Sequence, residues 1–397
     1  MIAKIFIPIL LMIVFSDLYY DMHYLRYRKG MSGWKRLLWW MPGILMIAYT
    51  IGLASIKAFA PQDVRWLNVY LFLVGILLVP KFVMAVCSFL GWQHCKFHHT
   101  HKNRGNLIGP VLAVVAAGAF LYGLTIGPRR LEVKHIDLYF EQLPASFEGY
   151  KIVHFSDSHV GTFNHNMDNC LRRDIDSIKA QHADLIVFTG DLQNVAPEEI
   201  TYHSDWYKEL TNGGHTKVMS IMGNHDYSDY MRGPRKEMDA RVQKHEALQR
   251  SLGWDLLLNE HRIIKRGKDS LFIAGEEWEA KEADDTTNYV NRVKTYAGIP
   301  QQAFVITLQH NPLYWEEHLV HGQGIPVPQL TLSGHTHAGQ ISLFGMRPTM
   351  LSYKEDYGLH QLEGKYLYVT AGLGGLVPIR LGTTPEIAVI TLHRLKK

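Results

Sequence analysis

Five short apolar runs in this 397-residue chain each lead into Asp, Asn or His. KIVHF (151–155) runs into Asp157 and His159, and DLIVF (184–188) into Gly190 and Asp191. KVMSIM (217–222) is followed by Asn224, His225 and Asp226, AFVITL (303–308) by His310, and QLTL (329–332) by His335 and His337. Taken singly, each cluster reads as a turn, because Asp, Asn and Gly are turn formers. Taken together they are a set of metal donors. Hard and borderline divalent cations accept carboxylate oxygen, amide oxygen and neutral imidazole nitrogen, and Mn, Fe and Zn all suit such a mixture. Asp157, His159, Asp191, Asn224, His310, His335 and His337 are more donors than one tetrahedral site can use. Two cations about 3.5–4 Å apart would use them all if one carboxylate bridges. Asp191 is the candidate bridge, because Gly190 before it leaves space on both sides.

These donors need a scaffold that delivers them to one place. From about residue 131 onward, β-type runs alternate with helical patterns. Met167, Leu171, Ile175 and Ile178, for instance, fall on one helix face. Three further runs, LFIAG (271–275), KYLYVT (365–370) and EIAVITL (386–392), bring the expected strands to eight. Such alternation predicts a layered α/β domain, in which ligand sites form beyond the carboxyl ends of the strands. His335 and His337 are two apart. On extended backbone they would point the same way and Thr336 the opposite way. Gly334 and Gly339 would supply turns on either side. Arg380, in PIRL, is a candidate for substrate phosphate, since arginine suits bidentate contact. Packing of the closing strand is the other reading.

The first 127 residues differ in kind. Apolar runs at about 2–20, 37–59, 67–89 and 107–126 are each long enough to cross a bilayer, which needs about 20 residues. The first run could also be read as a signal peptide, with Lys4 ahead of it, although no small-x-small cleavage site precedes Asp17. Gly109, Ala113 and Ala117 give the fourth run a face on which helices can approach closely. Lys81 interrupts the third run and is expected to snorkel or sit beside water. The loops after runs one and three carry eight basic residues: Arg26, Arg28, Lys29, Lys35, Arg36, Lys96, Lys102 and Arg104. The other side carries six: Lys4, Lys57, Arg65, Arg129, Arg130 and Lys134. The positive-inside rule then puts everything after the fourth run outside the cytoplasm. WQHCKFHHTHK (92–102) reads as a basic loop facing the membrane, since its histidine spacing matches no recognised ligand pattern.

Net charge is +4 with histidine neutral, which gives no case for nucleic-acid binding. Cys87, Cys95 and Cys170 form neither a disulfide framework nor a zinc ribbon.

The blocks D-x-H (157–159), G-D (190–191), G-N-H-D (223–226), H (310) and G-H-x-H (334–337) resemble the signature of the calcineurin-like metallophosphoesterase superfamily. The flanking stretches LPASFEGYKIVHFSDSHVG (143–161), LTLSGHTHAGQISL (330–343) and LYVTAGLGGLVPIRLGTTPEIAVITL (367–392) are similar to its YkuE/YaeI-type branch of membrane-associated phosphodiesterases. They are similar too to UDP-2,3-diacylglucosamine pyrophosphatase relatives. The resemblance implies an α/β fold, an α/β/β/α sandwich over residues 128–397 behind a transmembrane module at 1–127. It implies a bridging Asp191, one cation completed by Asp157, His159 and His337, and another completed by Asn224, His310 and His335. The reaction implied is phosphoester hydrolysis by a water or hydroxide held between the cations. His225 would be general acid or phosphoryl donor. Asp226 would hold its tautomer, or else serve as a cap. Tethering raises the effective concentration of membrane-borne substrates, so a lipid or lipid-linked phosphoester is the expected substrate. A soluble nucleotide or small phosphodiester is the alternative, and a non-catalytic metal-binding membrane sensor the second. Ala338, where the branch often has glycine, and Ser158, where it commonly has an apolar residue, depart from the pattern without removing a donor.

Overall fold

A computed structural model describes residues 2–56, 64–163, 167–228, 233–280 and 288–395. The chain divides into two compact units, Met1–Ile126 and Gly127–Lys397.

The first unit is helical. α1 (Ile2–Tyr20) runs on through a π-turn at Asp21–Leu25, and α2 spans Gly33–Ala54. α3 (Val64–Leu73), a π-turn at Val74–Leu78 and α4 (Val79–Phe97) form one continuous rod, followed by α5 (Gly105–Thr125). Among the described residues, four helices are long and apolar enough to cross a membrane. The small-residue face of α5 meets α4: a Cβ on Gly105 would collide with the Cys87 carbonyl, and one on Gly109 would lie 3.2 Å from Cys87 Cβ. Lys81 does not snorkel. It forms an ion pair with the buried Asp17 carboxylate and lies 4.4 Å from the centroid of the Trp39 ring. Gly43 makes room for this pair, since a Cβ there would overlap Asp17. A charge in hydrocarbon is costly unless paired, and here the partner is supplied by α1. The third apolar run continues as helix to Phe97, so His94 and Cys95 are helical rather than in a loop, and the His94 and His98 ring centroids lie 4.4 Å apart with the rings tilted by 43°. Lys57 and the end of the second run at 57–59 lie outside the described residues.

The second unit contains β1 (Glu132–Phe140), β2 (Tyr150–Phe155), α6 (Asp168–Lys179), β3 (Leu185–Phe188), α7 (Glu199–Lys208), β4 (Lys217–Ser220), α8 (Arg235–Ser251), β5 (Asp255–Leu256), β6 (Glu260–Arg266) and β7 (Asp269–Gly275). β8 (Val305–Leu308), β9 (Leu330–Ser333), β10 (Gly358–Leu362), β11 (Lys365–Val369) and β12 (Glu386–Arg394) complete it. These strands make two mixed six-stranded sheets, in the orders β1-β12-β2-β3-β4-β5 and β10-β11-β9-β8-β7-β6. One apolar core lies between the sheets, with Ile152, Val187 and Ile390 from the first meeting Ile273, Ile306 and Leu332 from the second. A second core packs α6 and α7 onto the first sheet through Leu171, Ile175, Ile178 and Tyr207. A third covers the outer face of the second sheet with Tyr296, Trp315 and Leu319. All eight expected strands are present. The four that were not expected, β1, β5, β6 and β10, are the four sheet edges.

Candidate metal centre

Neighbouring parallel strands β2, β3 and β4 end at Asp157/His159, Asp191 and Asn224/His225. Parallel β8 and β9 end at His310 and His335/His337. The sandwich therefore brings all five clusters to one rim. Asp157, His159, Asp191 and His337 place ligand atoms within 4.8 Å of one another, and so do Asp191, His310 and His335. Asp191 belongs to both groups. Its Oδ2 lies 3.5 Å from His159 Nε2 and 3.3 Å from His310 Nε2, and His337 Nε2 is 3.5 Å from Asp157 Oδ1. The Asn224 Oδ1 stands 3.1 Å from His310 Nε2 and 2.8 Å from His335 Nδ1, so it joins the second group.

The backbone that holds these side chains is unusual. Asp157, His159, Asp191, His335 and His337 all have φ between 44° and 70°, the left-handed region that costs a non-glycine residue about 1–2 kcal/mol. Such outliers gather where a site is held in place by its surroundings. Here main-chain bonds do the holding. Asp157 N–H donates to the Gly190 carbonyl (2.9 Å) and His159 N–H to that of Asp191 (3.1 Å). His335 N–H donates to the Asp157 carboxylate at 3.1 Å. The expectation that His335 and His337 sit on extended backbone is therefore corrected. Each turns through the left-handed region, and the pair still divides between the two donor groups. Thr336 does point away, with its hydroxyl donating to the Asp356 carbonyl at 2.6 Å. Ala338 is left-handed too, at φ 50°, which is why glycine suits that position.

Two glycines let the strand ends interlock. A Cβ on Gly190 would fall 2.7 Å from Gly223 Cα and 2.9 Å from His310 Nδ1, and one on Gly223 would fall 2.6 Å from Asp191 N. The space beside the Asp191 carboxylate is thus cleared by Gly223, while Gly190 admits Gly223 and His310.

Burial fixes the protonation states. It pushes the His159 and His335 pKa values down to about 3, and His337 well below the usual imidazole range. These rings are neutral and carry lone pairs. Burial also raises Asp157 to about 7. Burial opposes protonation of His310, but Asp191 pulls it up to about 9. The same contact, with His225, overcomes burial at Asp191 and holds its carboxyl well below the usual range. A backbone carbonyl only accepts, so the 2.6 Å contact of His310 Nδ1 with Thr189 O puts a proton on Nδ1 and turns Nε2 toward Asp191. Carbonyls orient metal-binding histidines in this way. Neither ring nitrogen of the fully buried His159 has a hydrogen-bond partner, nor does His337 Nδ1. Buried polar atoms are normally satisfied. Orphaned nitrogens facing shared carboxylates fit divalent cations.

For two residues the geometry favours the structural one of the two readings left open by the sequence. The Asp226 carboxylate accepts from the amides of Asp191 (2.8 Å), Leu192 (2.9 Å), Gln193 (3.2 Å) and Gly223 (2.9 Å). It shapes the loop that carries Asp191, while the His225 Nδ1 rests on the Asn194 carbonyl at 2.5 Å. Asp226 is thus closer to the cap reading than to a catalytic partner. Arg380 is only 1% exposed. Its guanidinium donates to the carbonyls of His337 (2.9 Å), Ala371 (2.8 Å) and Gly374 (2.6 Å), so its donors are used on backbone and not held out to a phosphate. Two residues outside the motif blocks also line the centre. The Tyr353 hydroxyl is 3.0 Å from His335 Nε2, and Trp278 packs 5.1 Å from the His335 ring. Neither lies in a strand-end cluster, so the sequence pattern carried no signal for them.

Comparison with known proteins agrees with this geometry. Residues 150–339 match the family profile described as calcineurin-like phosphoesterase. The uncharacterized metallophosphoesterase YkuE of Bacillus subtilis (strain 168) is 30% identical over 70% of this chain and 92% of its own length. The chain belongs to the calcineurin-like phosphoesterase family. Residues 3–128 match a second profile, described as "Probable Calcineurin-like phosphoesterase, transmembrane domain". A transmembrane protein with metallophosphoesterase domain from Danio rerio is 28% identical over 73% of this chain; the chain spans 64% of that relative's length. The UDP-2,3-diacylglucosamine pyrophosphatase LpxG of Chlamydia trachomatis serovar D is 28% identical over 72% of this chain and 94% of that one. This calcineurin-like phosphoesterase is a membrane protein and a metal-dependent phosphoester hydrolase.

Proposed function

We propose that this phosphoesterase is a membrane-anchored phosphodiesterase or pyrophosphatase that cleaves a lipid or lipid-linked phosphoester. Two divalent cations, drawn from Mn, Fe and Zn, would be held by Asp157, His159 and His337 on one side and Asn224, His310 and His335 on the other, with Asp191 common to both. The observation that carries this reading is the membership of Asp191 in both donor groups. When bound, such cations acidify water and neutralise charge on phosphoryl oxygens. The chain's own residues do the rest. Asp226 and the surrounding amides keep Asp191 in its left-handed turn. The Thr189 carbonyl holds the His310 Nδ1 proton and so keeps Nε2 aimed inward, where its proton would give way to a cation. His225 meets His159 edge-on at 4.6 Å between ring centres. With Nδ1–H given to Asn194, His225 would donate from Nε2 to a phosphoryl or leaving oxygen only as the doubly protonated ring.

Four membrane helices and the activity printed in the LpxG name support a lipid-linked substrate. The eight-to-six excess of basic residues supports a catalytic unit outside the cytoplasm, in a plasma or inner membrane. The test is hydrolysis by the detergent-solubilised full chain, with each cation and with chelator. Substrates are bis(p-nitrophenyl) phosphate, soluble nucleotides and a total lipid extract, with released phosphorylated products read by mass spectrometry. Chelator-sensitive release from the lipid extract is expected. Faster turnover of a nucleotide than of any lipid overturns the substrate class. No hydrolysis with any cation favours the sensor reading.

A further inference from the structure

Five of the eleven large apolar side chains exposed in the described part of the second unit fall within nine residues, 343–351: Leu343, Phe344, Met346, Met350 and Leu351. Phe344 is fully exposed and Leu351 is 92% exposed. Their backbone makes the pattern more telling. Leu343 and Met346 exchange two main-chain hydrogen bonds of 3.0 Å, closing a two-residue hairpin. Its central residues, Phe344 and Gly345, have φ 53° and 82°. That turn favours Asn-Gly or Gly-Gly, because both central residues must be left-handed. A bulky ring there is strained, and none of the described residues of the second unit covers it. The tip also lacks charge. Arg347 is the one charged residue between 341 and 352, and its Nε and Nη2 are both on the Asp356 carboxylate, at 2.7 and 2.9 Å.

We propose that the 343–351 hairpin is a membrane-docking element, with Phe344 and Leu351 entering the headgroup–acyl boundary of the bilayer that holds α1–α5. Six residues, 126–131, connect α5 to β1, a tether of at most about 20 Å. The catalytic unit is therefore always at a lipid surface. A protein partner would call for a polar, hydrogen-bonding rim, whereas an uncharged apolar tip suits lipid. The base of the element is fastened to the metal centre. The Thr349 hydroxyl donates to Asp356 at 2.8 Å, the Asp356 carbonyl accepts from Thr336 between the two histidines, and Tyr353 meets His335. A headgroup gathered by the hairpin is thus presented beside the donors that act on it. This deepens the lipid-phosphoester reading, and rests on it for the substrate though not for the membrane contact.

The test uses the full chain, reconstituted in phospholipid vesicles, with Cys87, Cys95 and Cys170 replaced by Ala. A nitrobenzoxadiazole probe is placed at Phe344→Cys, at Leu351→Cys or, as background, at Lys268→Cys on the exposed β6–β7 turn. Melting temperature and metal content check that each variant is folded. Nitroxide-labelled lipids should quench the probes at 344 and 351 about twofold or more beyond position 268. Quenching no greater than at 268 overturns the proposal. So does loss of a dimer on Phe344→Asp with the 344 probe shielded from both water and lipid, since the hairpin would then join two copies. Quenching without hydrolysis of any lipid upholds the docking and removes the lipid substrate alone.

Discussion

Both units bury polar side chains, but they treat them differently. In the membrane unit many buried groups face one another, although Trp39 Nε1 and Asn68 Oδ1 have no hydrogen-bond partner among the described residues. Asp17 meets Lys81, the Thr50 and Tyr70 hydroxyls lie 2.8 Å apart, and Ser88 links Tyr19 (3.0 Å) to Asn106 (2.5 Å). In the catalytic unit, His159 is as deeply buried as any of these, yet neither nitrogen is hydrogen-bonded. An unmet buried donor or acceptor costs about 1–3 kcal/mol. A fold that keeps several of them at one rim, on strained backbone, is holding them for a guest. Buried atoms without a hydrogen-bond partner occur elsewhere, as at Tyr207 and Thr331, but at this rim they stand beside shared carboxylates.

That contrast can be broken experimentally. The largest effect is expected for Asp191→Ala, which removes the carboxylate shared by both donor groups. Turnover should fall by about a thousandfold or more, and both cations should be lost from the metal analysis while circular dichroism is retained. Asn224→Ala should lose one cation only, and equal loss in the two variants would argue against a shared Asp191. Arg380→Ala comes next. It strips donors from three carbonyls, so stability should drop by about 3 kcal/mol, seen as a lower melting temperature with reduced cation content. A raised KM at unchanged melting temperature would instead restore Arg380 as a phosphate ligand. The smallest effect belongs to the membrane unit. Asp17→Ala leaves Lys81 unpaired and should cost about 2 kcal/mol in detergent unfolding, most of it recovered in the double variant Asp17→Leu with Lys81→Leu. Equal losses in the single and double variants would show that the pair contributes little.

The sequence announced the central strands because β2, β3, β8 and β9 are covered on both faces and read as mostly apolar runs. It hid the edges. β1 (EVKHIDLYF), β6 (EHRIIKR) and β10 (GLHQL) are half exposed and largely polar or charged, as strands at an open edge tend to be. The donors were legible as well, since each follows a core strand. Their conformation was not. A left-handed turn at Asp or His is imposed by main-chain bonds from distant segments, as when the Ser156 and Asp157 carbonyls accept from Leu373 and Gly374. Asp226 and Arg380 each kept two readings for a related reason. Carboxylates and guanidinium groups look chemical in a string of letters, and only the folded chain shows that their hydrogen bonds end on backbone.

The place of β12 has a consequence for the order in which the protein matures. The strand last in sequence sits between β1 and β2, the first two to be made, and Arg380, just ahead of it, ties down His337. While the ribosome is still adding the preceding residues, the first sheet has a gap and the histidine loop has no clamp. Domains generally fold as units during synthesis, and this one cannot finish until its closing strand emerges. Without β12 the first sheet would leave β1 and β2 unjoined, and without Arg380 the His337 carbonyl would lose its guanidinium donor.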